Sequence, residues 1–240
     1  MLNLKDTVVR VIDCETTGLD PATEAVVEVA FADVDLATGS VIKQYSTLIN
    51  PGRPIPPEAS AIHHIVDSDV KDAPRYNDIH ASLFAPVYAA HNAAFDSSFL
   101  LLPGDWICTH RLSRHLWPEF KSHSNQNMRY ALGIQDVPGL SKDASAHRAL
   151  ADCLVTAAVL PLALERAAAA WPEAKTVAEL LAKAREPAEL VWAPFKSKAG
   201  MKFSSLDDGF LRWVITKGAG GEDAVHTARL TLRRRTGAVA

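Results

Sequence analysis

Two carboxylates one residue apart follow an apolar, β-branched run in Val8-Val9-Arg10-Val11-Ile12-Asp13-Cys14-Glu15. Side chains alternate faces along a strand, so Asp13 and Glu15 project together from its end. Acids that close repel one another unless a cation separates them. Hard oxygen ligands of this kind suit Mg²⁺ or Mn²⁺. A pair of surface acids at a strand end has the same spacing. Asp96 stands in the first turn of an expected helix, where the helix dipole also favours an acid. Asp152 lies among Leu150, Ala151, Cys153 and Leu154, and an acid beside that much apolar surface needs a partner. A metal would supply one, and so would Arg148 at i−4. His147 precedes Asp152 by five residues and can approach the same cluster from the helix start. A lone histidine near a helix N-terminus is otherwise structural or solvated.

The elements that must position these groups are legible from hydrophobic patterning. Residues 8–12 are nearly all apolar and predict a central strand. Residues 25–35 and 41–49 predict two more, joined by a Thr38-Gly39 turn into an antiparallel meander. Residues 50–57 hold four prolines and exclude regular structure. Short helices are expected over 57–62, 77–85, 95–102, 111–117 and 127–132, with strands over 86–90 and 105–109. The longest helix is expected over 143–170, kinked or broken at Pro161. Residues 171–192 predict a helical linker with two short pieces. The fold class is therefore α/β: a mixed five-stranded sheet flanked by helices, plus a small C-terminal appendage. In such sheets ligands gather at strand ends, where Asp13 and Glu15 lie.

The chain of 240 residues suits one large domain or a domain with a small appendage. Its hydrophobic and charged fractions are those of a globular protein. No apolar run is expected to reach the length of a bilayer span, and no signal-peptide pattern opens the sequence. Cys14, Cys108 and Cys153 are odd in number and widely spaced, which argues against a disulfide framework or a zinc site. A cytoplasmic protein is expected. Residues 1–195 are acidic on balance, and residues 196–240 are basic. An acidic body with a basic end fits metal-binding carboxylates beside a polyanion-binding tail, and equally two unrelated solvated surfaces. The basic residues His110, Arg111, Arg114, His115, Lys121, His123 and Arg129 could follow a phosphate backbone or line a solvated helix face. Trp213, with Arg212, Lys217 and Arg233-Arg234-Arg235, could make a second nucleic-acid contact or form the core of a very small domain.

Taken in order, Asp13-Cys14-Glu15-Thr16-Thr17-Gly18, His91-Asn92-Ala93-Ala94-Phe95-Asp96 and His147-Arg148-Ala149-Leu150-Ala151-Asp152 resemble the three motifs of the DEDDh 3′–5′ exonucleases. These belong to the ribonuclease H-like superfamily. Gly104-Asp105-Trp106-Ile107-Cys108-Thr109 and the tail around Phe210-Leu211-Arg212-Trp213-Val214 look like the exodeoxyribonuclease X-like branch. The resemblance implies an exonuclease domain over residues 1–170, a linker over 171–192 and a small basic domain over 193–240. It implies two divalent cations, Mg²⁺ or Mn²⁺, held by Asp13, Glu15, Asp96 and Asp152, with His147 as general base. Thr16 and Thr17 would hold the terminal 3′-OH, Leu19 would wedge beside the last base, and His63 and Phe95 would line the terminal nucleotide. The implied activity is release of nucleoside 5′-monophosphates from DNA 3′ ends, in repair or proofreading. RNA ends as substrate, a non-catalytic docking role and a homodimer stay open. The tail departs from the branch at Phe195-Lys196-Ser197-Lys198, and His64 stands where many relatives have glycine.

Overall fold

The computed structural model describes residues 2–140 and 147–237. Its centre is the strand β1 (Val8–Thr16), flanked by β2 (Val26–Asp35) and then β3 (Ser40–Leu48) on one side. On the other side lie β4 (Val87–Ala90) and β5 (Asp105–Cys108). The order is β3-β2-β1-β4-β5. The first three strands are antiparallel, and β4 and β5 run parallel to β1. This is the expected mixed sheet.

Between β3 and β4 stand three short helices, α1 (Pro57–His63), α2 (Asp67–Val70) and α3 (Tyr76–Ile79). The helix α4 (Ala93–Leu100) joins β4 to β5, and α5 (Thr109–Leu116) and α6 (Asn125–Ala131) follow. The long α7 (Ala149–Ala170) and then α8 (Val177–Arg185) complete the main body, and α9 (Asp208–Lys217) and α10 (Gly221–Thr236) close the chain.

Strand alternation divides the core. Val9 and Val11 pack with α5, α7 and α8 on one face, while Ile12 and Cys14 pack with Phe99 and Leu100 on the other. Asp13 and Glu15 continue the odd-numbered face, the one α7 covers. That parity aims both acids at the helix carrying Asp152.

Several expectations need correction. Of the helix expected over 143–170, residues 143–146 fall outside the described residues. His147 and Arg148 are not helical, and α7 starts at Ala149. Pro161 does not break α7. An interior proline costs about 3 kcal/mol. Burial of a single Val or Leu side chain returns roughly 1.5–3 kcal/mol, and Val155, Val159 and Leu160 are all fully buried. The same helix is long and apolar enough to cross a membrane, contrary to the sequence expectation. It lies instead against β1 and β2, half buried. The expected two-piece helical linker holds one helix, α8, whose Val177, Leu180, Leu181 and Ala184 join the main core. From Leu190 onward the chain builds a second cluster of its own, with Phe203, Leu206, Leu211, Val214, Ala224 and Ala228.

Candidate active site

The acidic pair leaves β1 at an irregularity in register between Glu15 and Thr16. Asp152 approaches from the first turn of α7. Carboxylate oxygens of Asp13, Glu15 and Asp152 lie within 4.8 Å of one another. Asp96 arrives from the opposite side, because α4 packs on the even-numbered face of β1. It is buried, and its Oδ1 accepts a hydrogen bond from the Cys14 amide at 3.1 Å. All four acids line one cavity of about 370 Å³, with His91, Phe95, Gln126 and His147 among its other walls.

The electrostatics follow from crowding. Burial, then the charges of Asp96, Glu15 and Asp152, hold the Asp13 carboxyl well above the usual carboxylate range. Burial, then Asp152 and Glu28, raise Glu15 to about 8. Burial raises Asp96 to about 7 against the stabilising Cys14 amide. Asp152 is also raised by burial, opposed by hydrogen bonds from His147 and Gln126. Four carboxyls raised by burial and crowding would ionise together most readily beside positive charge. Hard oxygen donors at this spacing fit divalent cations.

The amide of His147, a residue with a left-handed φ of 62°, donates to Asp152 Oδ2 at 2.9 Å. Gln126 Nε2 donates to the other oxygen at 3.3 Å. Asn125 Nδ2 donates to the Asp152 carbonyl and to Thr156 Oγ1, both at 3.0 Å. The His147 ring lines the solvent-exposed rim of the cavity. His91 is a second imidazole in the wall. Its Nε2 donates to the His123 carbonyl at 2.7 Å, and burial lowers its pKa to about 4. It stays neutral and fixed.

The five residues expected to touch substrate divide. Phe95 lines the cavity, and Leu19 is 84% exposed on the loop beyond β1. Thr16 and Thr17 are buried and their hydroxyls are engaged. Thr16 Oγ1 donates to the Gly18 carbonyl at 2.6 Å, and Thr17 Oγ1 donates to Glu24 at 2.5 Å. His63 is buried, its Nδ1 accepts from the Ile65 amide at 3.0 Å, and it does not line the cavity.

Sequence reasoning missed Gln126 and Asn125, because α6 begins at Asn125 rather than 127. It also missed Glu28, which sits directly across the ladder from Glu15. Only 2% exposed, Glu28 accepts from Arg148 Nη2 at 2.8 Å, Arg148 Nε at 3.1 Å and the Ala149 amide at 3.0 Å. Arg148 thus serves Glu28, not Asp152 as one sequence alternative had it. This clamp fixes the start of α7, and with it Asp152 and His147. A carboxylate in this segment of an apolar strand was the available signal.

Replacing Glu28 by Gln has two opposed effects. It removes a charge that disfavours ionised Glu15, and it weakens the clamp. The clamp dominates, since outer partners of metal ligands are typically worth about 10–100-fold. We expect E28Q to weaken divalent-cation binding about tenfold. Arg148 is half-exposed, so its charge is not stranded and the thermal midpoint changes little. A Mg²⁺ titration of both proteins checks this, and an unchanged midpoint concentration rules the clamp out.

Comparison with known proteins is consistent with this geometry. The RNase T-type exonuclease family model matches residues 10–160. Exodeoxyribonuclease 10 of Escherichia coli K12 is 36% identical over 210 residues, covering 86% of this chain and 90% of that one. An uncharacterized exonuclease, CP81, of Escherichia phage 186 is 34% identical over 169 residues, covering 62% of this chain and 84% of that one. Among solved structures, Exonuclease X in complex with 5′ overhanging duplex DNA aligns with a TM-score of 0.60 at 37% identity, over 71% of this chain and 98% of that one. Escherichia coli Exonuclease I in complex with a dT13 oligonucleotide shares the fold at 17% identity, with a TM-score of 0.57 over 88% of this chain and 60% of that one. Since the family match runs from Arg10 in β1 through α4 and into α7, and the Escherichia coli exodeoxyribonuclease 10 is matched over 90% of its length, this chain belongs to the exonuclease family.

Proposed function

We propose that this chain is a metal-dependent 3′–5′ exodeoxyribonuclease that releases nucleoside 5′-monophosphates from DNA 3′ ends. The observation that carries the reading is the meeting of Asp13, Glu15 and Asp152 within 4.8 Å, with Asp96 and His147 in the same cavity. Two divalent ions, Mg²⁺ or Mn²⁺, would supply Lewis-acid stabilisation of the charge that develops in phosphodiester hydrolysis.

The chain's own residues do the rest. Asp13, Glu15 and Asp152, on the α7 side of β1, and Asp96, on the α4 side, would hold the ions. His147, at the rim and open to water, takes the proton of the attacking water. Its backbone is tied to Asp152, so the base and a metal ligand move as one unit. Thr16 and Thr17 spend their protons inside the chain, and Thr17 Oγ1 also accepts from the Ala25 amide at 3.0 Å, so Thr16 Oγ1 is the one left to accept from an incoming 3′-OH. Leu19 and Phe95 provide apolar contact for the terminal base.

The test compares single strands labelled at the 3′ or the 5′ end, with Mg²⁺ and with chelator. Immediate mononucleotide release is expected from the 3′ label only, and none with chelator. Immediate release of the 5′ label overturns the polarity. Faster turnover of matched RNA moves the reading to an exoribonuclease, and binding without any turnover moves it to a docking module.

A further inference from the structure

Beyond the acidic cavity, a second groove of about 310 Å³ runs between the main body and the C-terminal unit. One wall carries His110, Arg114, Lys121 and His123, and the other carries Leu190, Trp192 and Pro194. No carboxylate lines it.

The groove is built, not incidental. Trp192 donates its Nε1 proton to the Glu119 carbonyl at 2.8 Å, which pins the indole. A β-bridge pairs Trp192 with Lys202, and the Ala193 amide donates to the Met201 carbonyl at 2.9 Å. The Lys202 ammonium therefore sits 5.6 Å from the indole ring centre, and that of Lys121 sits 4.9 Å away. Neither lysine has a carboxylate within 4 Å among the described residues. Arg114 is different: its Nη2 lies 3.0 Å from buried Asp223, which also accepts from the Ala188 amide. That pair locks the two walls together.

The groove adjoins the acidic cavity across a layer of histidines. His91 lines the cavity and donates to the His123 carbonyl, while its ring meets that of His110 edge-on at 5.5 Å. His110 and His123 line the groove. The two spaces share this histidine wall.

We propose that the groove carries the DNA strand 5′ of the scissile nucleotide, with Lys121 in its wall and Lys202 beside it, both next to the Trp192 ring, as its phosphate contacts. The inference rests on the exonuclease reading above. Two ammoniums held on one indole have already given up rotamer freedom, so they bind a phosphate at less entropic cost than free lysines.

The test uses the full chain and the double variant Lys121→Glu/Lys202→Glu, with Lys43→Glu/Lys71→Glu as a charge-matched control away from the groove. kcat and KM are measured on a single-stranded trinucleotide and a 20-mer. Binding of the 20-mer is followed in chelator as salt is varied. For the groove variant, KM on the 20-mer should rise about tenfold with little change in kcat, and the advantage of the 20-mer over the trinucleotide should disappear. Its binding slope against log salt should shrink by about 1.4, since each single-strand phosphate contact contributes about 0.7. A groove variant that keeps the wild-type length advantage and slope overturns the proposal, as does an equal loss in the control. Absent turnover on both lengths with the slope change intact would sink the exonuclease reading and leave the groove standing.

Discussion

Asp13→Asn is expected to lower kcat by at least about 10³-fold and to make the metal-free protein more stable, not less. The first effect follows from removing one of the carboxylates proposed to hold the ions, since electrostatic stabilisation of the reacting atoms is usually the largest single contribution to rate. The second follows from crowding. Asp13 is held well above the usual carboxylate range by burial and by Asp96, Glu15 and Asp152. Asn has the same shape and carries no charge, so the repulsion disappears while the packing stays. A gain of about 1 kcal/mol corresponds to roughly 2–4 °C in the thermal midpoint for a chain of this size. Melting in chelator, melting with Mg²⁺ and turnover separate the two effects. The variant should also lose most of the midpoint rise that Mg²⁺ gives the wild type. A midpoint lowered in chelator would mean that Asp13 supports the fold, and would remove the argument from repulsion.

The acids were legible because their signal is local. Asp13 and Glu15 sit at strand parity after an apolar run, and Asp152 is conspicuous among Leu and Ala. Their partners are far away in sequence and carry no such signal. Glu28 finds Arg148 120 positions later, and in the sequence it is one of several acids in an apolar strand. Arg111 and Arg114 belonged to a basic stretch that could follow a phosphate backbone. In the structure Arg111 donates to the carbonyls of Ala184 and Arg185 at the end of α8, and Arg114 pairs with Asp223. Arg234 and Arg235, read beside Trp213 as a nucleic-acid contact, reach Glu189 and Asp208. A run of positive residues says only that charge is present. Whether that charge is spent on a carboxylate or left for a phosphate is decided by elements many tens of residues away. Lys121, Trp192 and Lys202, spread over 82 positions, could not be read as a unit from the sequence.

The same accounting predicts how stability depends on pH. In the unfolded chain, aspartate and glutamate titrate near about 3.9 and 4.3. In the fold, Glu15 rises to about 8, Asp96 to about 7, and Asp13 and Asp152 also rise. Below about pH 4 both states are protonated, and these groups do not affect the balance. Between about pH 4 and about pH 8 the unfolded chain has released protons that the fold retains, so stability falls as pH rises. In chelator, the thermal midpoint should therefore decline from about pH 6.5 to pH 8, above the range in which buried histidines such as His91, with their lowered pKa values, oppose the trend. Divalent ions reverse the sign, because they bind the ionised carboxylates and compete with protons for the same oxygens. At a concentration of about 100 times its dissociation constant a ligand adds about 2.7 kcal/mol. For a chain of this size that is about 5–10 °C. The rise on adding Mg²⁺ should be near that value at pH 8 and small at pH 5. Melting curves at the two pH values, with Mg²⁺ and with chelator, measure all four corners. An equal rise at both would mean that the ions bind elsewhere than in the acidic cavity. In the same series, Asp13→Asn should flatten the metal-free decline, since it removes one of the protons that the fold retains and relieves Glu15 and Asp96 of a neighbouring charge.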